Sequence, residues 1–263
     1  MFTPQGPTLR ELAVQALSST EHGYDLLAPA FDRTPFRTPE PVLDATAAAL
    51  EPLGPFGSGL DLCCGTGAGV GVLRRLCGGP VVGVDFSAGM LAAARAAQAN
   101  QSAERPTGSP AGSSAASSAG QPAGPEPVWV RADARRLPFG PGFDLVLSFG
   151  ASGHFLPREW PTLFGQVYDV LLPGGMFAFP IVAPPRVGSL PYLALAGFDA
   201  AMRLRNALLR PPFIMYYRPF QLSPVRAELE RAGFTVRTAA LPELGLTEQG
   251  SPRCRLVLAR RGD

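Results

Sequence analysis

Apolar positions along the chain follow two periodicities that take turns over most of its length. Helical spacing comes first: Leu9, Leu12, Ala13, Ala16 and Leu17 recur at three- and four-residue steps over 8–20, with Thr8 placed to cap. A second short helix is expected over 23–31. A third opens at Thr38-Pro39-Glu40, where Thr caps, Pro suits the first helical position, and Leu43, Ala47 and Leu50 form one face. Pro52, Gly54 and Pro55 end it. Strands and helices then alternate. Gly59–Cys63 reads as a strand, Ala68–Cys77 as a helix closed by Gly78-Gly79, Pro80–Asp85 as a strand, and Ser87–Gln98 as a helix capped by Ser87. Val128–Ala132 and Phe143–Phe149 read as strands, Glu159–Leu172 as a helix stopped by Pro173-Gly174-Gly175, and Met176–Val182 as a further strand. Pro224–Ala232, capped by Ser223 and ended by Gly233, is a helix leading into the strand Phe234–Ala240, and Arg253–Ala259 is the last strand.

This alternation predicts a parallel sheet covered by helices. The last two strands have no helix between them, so they are expected to pair antiparallel at the edge. Two stretches break the pattern. Residues 101–127 are almost all Ser, Ala, Gly, Pro and Gln, without an aromatic or β-branched aliphatic side chain, and read as a flexible surface loop. Residues 183–222 are instead rich in Leu, Phe, Tyr, Pro and Arg. Within them Pro191–Leu209 is spaced as a helix with Leu193, Ala194, Gly197, Ala201, Leu204 and Leu208 on one side.

Composition narrows the function classes. The chain has 263 residues, 46% of them hydrophobic, enough for one full core with additions. A formal net charge of +2, from 23 basic and 21 acidic residues, gives no reason to expect nucleic acid as partner. Every basic residue is Arg. Cys63, Cys64, Cys77 and Cys254 form no C-x-x-C pair, and their spacing suits neither a zinc site nor a disulfide framework. No metal is expected. Residues 1–10 lack a basic segment followed by an apolar one, and no apolar run reaches the roughly 18–20 residues that span a bilayer. The expected location is therefore cytoplasmic.

The candidate chemistry is concentrated in Gly59-Leu60-Asp61-Leu62-Cys63-Cys64-Gly65-Thr66-Gly67-Ala68-Gly69-Val70. A strand ending in a carboxylate, a glycine turn and a helix together bring backbone against a nucleotide-like ligand. Asp85 ends the next strand, in Val84-Asp85-Phe86-Ser87, and Asp133 follows the third, in Ala132-Asp133-Ala134-Arg135-Arg136. A dinucleotide enzyme also places an acid about 20 residues beyond its first glycine. Asp61 and Asp133 have no place in that fingerprint, however, and Val70 is bulky for its third glycine. An NAD(P)-dependent oxidoreductase is the weaker competitor.

With these motifs in order, followed by Phe143-Asp144-Leu145-Val146-Leu147-Ser148-Phe149-Gly150, the chain resembles the class I S-adenosylmethionine-dependent methyltransferases over residues 24 to 260, nearest their small-molecule members. The resemblance implies a Rossmann-like, doubly wound α/β fold: a mostly parallel seven-stranded sheet with an antiparallel edge strand and helices on both faces. Residues 1–55 would form N-terminal helices and a lid, and 56–263 the cofactor-binding core. It implies S-adenosyl-L-methionine as cofactor, with Asp61 orienting its methionine end and backbone at Gly65 and Gly67 lying against it. Asp85 would accept both ribose hydroxyls, Phe86 and Met90 would flank adenine, and Asp133 with the Ala134 amide would meet the adenine edge. Phe149 would lie under the methionine part. The family usually has Gly where this chain has Cys63. Local alternatives accompany these roles: Asp61 or Asp85 capping a neighbouring turn or helix, and Asp133 pairing with Arg135 or Arg136.

Further candidates surround this set. His154 is a candidate general base, since His titrates near neutral pH, with a packing role beside the cofactor as the alternative. Tyr24 and Asp25 begin Tyr24-Asp25-Leu26-Leu27-Ala28-Pro29-Ala30-Phe31-Asp32, which looks like the Y-D-x-x-A-x-x-Y-D lid segment of the family. Tyr24 would close over the sulfonium, or act only as a hydrophobic staple. Arg33 and Arg37 are candidates for orienting an anionic acceptor, and Tyr216 and Tyr217 for the acceptor wall. The 183–222 insertion, with Arg203, Arg205 and Arg210 beside its apolar side, suggests a small lipophilic acceptor or peripheral membrane contact. A non-catalytic S-adenosylmethionine-binding protein would carry the same motifs.

Overall fold

A computed structural model describes residues 20–34, 36–103, 125–183, 222–247 and 249–263, with isolated positions between 188 and 208. Its elements are α1 (Thr20–Leu27), a 3-10 segment (Ala28–Arg33), α2 (Glu40–Leu50), β1 (Gly59–Leu62), α3 (Ala68–Leu76), β2 (Val81–Asp85), α4 (Ala88–Ala103) and β3 (Val128–Arg131). They continue with β4 (Phe143–Leu147), α5 (Trp160–Val170), β5 (Leu171–Val182), α6 (Leu222–Arg231), β6 (Phe234–Ala240) and β7 (Cys254–Arg261). The helix expected over 8–20 lies outside the described residues except for Thr20. So do residues 104–124 of the Ser/Ala-rich stretch and most of 183–222, including Arg203, Arg205, Arg210, Tyr216 and Tyr217. No helix among the described residues is long and apolar enough to cross a membrane.

The seven strands form one sheet in the order β3-β2-β1-β4-β5-β7-β6. β1 runs parallel to β2 and β4, as do β2 with β3 and β4 with β5. β7 is antiparallel to both of its neighbours, β5 and β6. The helix-free connection between β6 and β7 thus gives the expected antiparallel pairing at one edge, with β7 slotted between β5 and β6. Chain order reverses at β1 and β4, and in an open α/β sheet the crevice beyond that reversal is where ligands bind.

Two-residue periodicity distributes side chains to two cores. Val146 of β4 joins Leu60, Leu62, Val84, Phe164, Phe177 and Leu229 on one face. Leu145 and Leu147 join Leu43, Leu50, Val72, Leu73 and Leu256 on the other. Asp61, between Leu60 and Leu62, is therefore turned to the α3 face, and this places its carboxylate at the start of α3.

Several boundaries differ from those the pattern predicts. α1 begins at Thr20, and its helical character tightens to 3-10 at Ala28, next to Pro29. Thr38 is not the cap of α2: Pro39 occupies that position with φ −62° and ψ 141°, and no side-chain bond caps the helix. Ser87 does cap α4, accepting the Met90 amide at 3.1 Å, and α4 runs on to Ala103. β5 starts at Leu171 and carries Pro173-Gly174-Gly175 in a bulge, because Phe143 pairs with Leu171 but Leu145 pairs with Met176.

Candidate active site

A cleft of about 1100 Å³, including its open mouth, lies beyond the carboxyl ends of β1, β2, β3 and β4. Its floor is Asp61, Cys63, Gly65 and Gly69 from β1 and the glycine loop, and one side is Asp85, Phe86 and Met90. Ala132, Asp133, Ala134 and Arg135 form the next wall, and Phe149, Ala151, His154 and Phe155 the one after β4. Tyr24, Phe31, Phe36, Arg37 and Thr38 cover it from the N-terminal segment. Of the residues singled out in the sequence, Tyr24, Asp61, Gly65, Asp85, Phe86, Met90, Asp133, Ala134, Phe149 and His154 all border this one space.

Gly67 does not. It initiates α3 with φ +94°, and a Cβ there would stand 2.6 Å from the Trp129 ring of β3. Its lack of a side chain serves the packing of the loop on Trp129 rather than the cleft. Gly65, with φ +51°, faces open space. Gly69, a loop glycine with no individual role assigned from the sequence, is the most tightly placed of the three: a Cβ would lie 2.5 Å from Asp61 Oδ1. Cys63, standing where the family has Gly, takes φ +58°, the left-handed conformation that glycine adopts without steric cost.

The electrostatics are dominated by two buried carboxylates. Asp61 is 1% exposed, and its Oδ2 has no hydrogen-bond partner among the described residues. Burial raises its pKa to about 8; Asp85 adds to the rise, and the Val70 and Gly69 amides at the start of α3 oppose it. Asp85, 7% exposed, accepts the Gly65 amide at 2.9 Å on Oδ2 and the Ser87 amide at 2.9 Å on Oδ1. It thus ties the glycine loop to the start of α4, and burial raises its pKa despite those amides.

Asp133 is the exposed acid of the three, with a side chain 44% exposed. Arg135 grips it, with Nε 3.0 and 3.1 Å from the two carboxylate oxygens and Nη2 2.6 Å from Oδ2. That bond holds the Asp133 pKa below the ordinary value. The local ion pair that was the alternative for Asp133 is therefore present, and with the Arg135 amide also donating to Oδ1 at 2.9 Å each carboxylate oxygen already accepts two contacts, so a ligand at this edge would share or displace them. Arg135 also bonds Glu159. Burial keeps the thiols of Cys63 and Cys64 well above their ordinary pKa, so neither is a thiolate near neutrality.

The N-terminal segment over the cleft is fastened at three places. The Tyr24 hydroxyl is 2.9 Å from Nε2 of His154. Asp25 Oδ1 accepts the Ser87 hydroxyl at 2.6 Å and the Gly89 amide at 2.8 Å. Thr66 of the glycine loop donates to Asp32 Oδ1 at 2.7 Å. Asp25 and Asp32 are the two acids of the lid segment, so their presence was visible in the sequence, while their partners were not. Arg37 reaches the cleft and bonds Glu40, whereas Arg33 is exposed and does not border it.

The site fits a cationic, nucleoside-bearing ligand. The buried Asp61 borders the cleft with one oxygen that has no partner among the described residues, a second carboxylate stands at the end of β2, and Phe86 and Met90 supply an apolar wall beside it.

Comparison with known proteins agrees. Residues 60–179 match the model of the methyltransferase domain family. The chain is 30% identical over 188 residues to a demethylmenaquinone methyltransferase of Thermus thermophilus, covering 68% of this chain and 74% of that one. Among solved structures, an O-methyltransferase family protein from Burkholderia thailandensis aligns with a TM-score of 0.62 at 17% identity, over 97% of this chain and 67% of that one. Magnesium protoporphyrin IX methyltransferase from Synechocystis, with bound SAH, aligns with a TM-score of 0.53 at 19% identity, over 84% and 81%. At these identities the two structures speak for the fold alone. The relationship decides against the nicotinamide alternative: with its strand order, its three strand-end acids and this relative, the chain belongs to the class I S-adenosylmethionine-dependent methyltransferases, with S-adenosyl-L-methionine as cofactor.

Proposed function

We propose that the enzyme methylates a small apolar acceptor carrying an aromatic or quinone-like ring. The observation that carries this is the rim around the acidic floor: Tyr24, Phe31, Phe36, Phe149 and Phe155 enclose the space where an acceptor must enter. Such a rim offers area and ring-face contacts to a flat apolar molecule and few groups to a sugar or peptide. The name of the Thermus relative, a demethylmenaquinone methyltransferase, supports the same class.

In this reading S-adenosylmethionine, when bound, would supply an electrophilic methyl carbon to the acceptor's electron pair, with S-adenosylhomocysteine as the leaving group and the acceptor's proton passing to solvent. The chain's own residues bind, align and exclude water. Asp85 would accept from the ribose hydroxyls with the lone pairs its two amide bonds leave open. Asp61 would meet the amino group of the methionine end. Phe86 and Met90 would flank adenine, with Asp133 and the Ala134 amide toward its polar edge. Phe149 and the Gly65 backbone would lie against the methionine chain.

Two experiments test the proposal. Asp85→Ala should weaken S-adenosylhomocysteine binding at least tenfold by calorimetry in a folded variant; unchanged affinity refutes the site. A cofactor-loaded screen of quinols, phenols, lipids and polar metabolites, read by a methyl mass shift, should label the ring-bearing apolar compounds. Labelling confined to polar compounds refutes the acceptor class.

A further inference from the structure

Tyr24 and His154 approach each other from opposite sides of the cleft. Tyr24 belongs to α1 of the lid, and His154 ends the 3-10 turn that follows β4. Besides the 2.9 Å bond between hydroxyl and Nε2, their rings meet edge to face, with centroids 5.6 Å apart and planes at 85°. The lid backbone is fixed from behind by the next residue. Asp25 holds Ser87 and Gly89, and a Cβ on Gly89 would lie 2.8 Å from Asp25 Cα, so α1 sits directly on the start of α4. Phe31 closes on the Tyr24 ring, with centroids 6.1 Å apart. The phenol is therefore held at both ends, by Asp25 at the backbone and by His154 at the hydroxyl.

A histidine that works as a base is poised to be charged near neutrality and is commonly oriented by a carboxylate. His154 has the opposite environment. Burial lowers its pKa to about 4, and its Nε2 meets the Tyr24 hydroxyl. A neutral imidazole keeps the bond to Tyr24 in either tautomer, which is what a structural anchor requires.

We infer that His154 is a positioning residue acting through Tyr24: it holds the lid's phenol ring across the reaction space instead of taking a proton from the acceptor. The inference rests on the methyl-transfer reading of the cleft. It assigns the hydrogen bond between the two residues as the contact that sets the closed position of the lid.

The test compares Tyr24→Phe, His154→Ala, His154→Gln and the Tyr24→Phe/His154→Ala double variant in the full chain. Gln places a hydrogen-bonding atom near the position of Nε2, and Phe keeps the Tyr24 ring, so both preserve shape. Deuterium exchange over residues 20–33 and calorimetric affinity for S-adenosylhomocysteine are the readouts, with exchange in β1 and β4 as the control for folding. The two single losses should each speed lid exchange and weaken affinity about five- to tenfold, the effect of one part-buried hydrogen bond. The double variant should be no worse than either, and His154→Gln should recover most of the loss. With reduced 1,4-naphthoquinone as acceptor probe, His154→Gln should retain kcat within about threefold. Additive losses, or lid exchange unchanged in His154→Ala, overturn the inference, as does a more than hundredfold fall in kcat for His154→Gln while Tyr24→Phe stays active. A wild-type chain that fails to bind S-adenosylhomocysteine would instead overturn the methyl-transfer reading itself.

Discussion

Replacing Asp61 by Asn should stabilise the cofactor-free protein at neutral pH, by an amount that grows as the pH rises. In the unfolded chain Asp61 loses its proton near the ordinary value of 3.8, but in the folded chain only near 8. Between those values the folded state holds a proton that the unfolded state has released, so its stability falls with rising pH and levels off above about 8. Each pH unit within the window is worth at most 1.36 kcal/mol, which makes the penalty at pH 7 about 4 kcal/mol. Asn carries no such penalty. Its amide faces the Gly69 and Val70 N–H groups as a donor in one flip and as an acceptor in the other, and the imperfect match costs about 1–2 kcal/mol. The net gain expected for Asp61→Asn is therefore about 2–3 kcal/mol at pH 7. Near pH 4 the gain should disappear and the mismatch alone should remain.

The assay is urea unfolding of both chains at several pH values from 4 to 9 without cofactor, taking the difference between them so that all other titrating groups cancel. A difference that does not change with pH, or a wild type favoured more strongly at pH 8 than at pH 4, would refute the reasoning. The same carboxyl predicts proton release on binding. An ammonium group brought beside Asp61 lowers its pKa, so S-adenosylhomocysteine binding at pH 7 should release up to about 0.9 proton. Calorimetry in two buffers of different ionisation enthalpy measures that number, and in Asp61→Asn it should fall towards zero while affinity drops.

Cys63→Gly should be about 1 kcal/mol more stable than Cys63→Ala in chemical denaturation, because both lose the thiol but only Gly relieves the left-handed backbone at φ +58°. Equal stability of the two would mean that the conformation carries no strain. Gly67→Ala should cost about 2–3 kcal/mol, combining a backbone at φ +94° with a Cβ 2.6 Å from Trp129. Trp129→Ala in the same chain should return only part of that loss, since the backbone contribution remains.

What the sequence disclosed and what it withheld follow one physical division. The strands of the central sheet are buried, so β1, β2 and β4 read as short apolar runs whose limits are set by Gly, Pro and acids. Asp61 within β1 and Asp85 at the end of β2 were legible for the same reason, since a carboxylate in a buried strand needs a partner, whereas Asp133, just past the part-exposed β3, stood out by its place after the third strand. The partners were not legible. The bond between Tyr24 and His154 spans 130 positions and that between Thr66 and Asp32 spans 34, and no local spacing encodes either. Asp133 shows the limit at short range. Its neighbour Arg135 was visible as a possible partner, but Glu159, which accepts from the same guanidinium out of the turn before α5, was not, because it lies 24 positions away. The bulge in β5 was hidden because Pro173-Gly174-Gly175 resembles a helix stop equally well.

The glycine loop shows why such a motif needs more than its spacing to be interpreted. Its three alternating glycines answer to three different neighbours: Gly65 to the open cleft, Gly67 to the Trp129 ring, and Gly69 to the Asp61 carboxylate. Only the first keeps the space of the cleft itself clear of a side chain. The third matters because of the register of β1, which turns Asp61 to the α3 face just where that helix begins. A side chain at 69 would occupy the volume of the carboxylate, so the acid before the loop and the third glycine within it are one structural unit. Trp129 has the corresponding place under the second, paired across from Gly83 in the sheet and filling the room that both glycines leave. The loop is therefore held from below by an indole and from the strand side by Asp85, and Asp61 is left buried with an oxygen that has no partner among the described residues. An acid kept out of water in this way favours a ligand that arrives with a positive charge, and it is the packing of β1 on α3 that keeps it there.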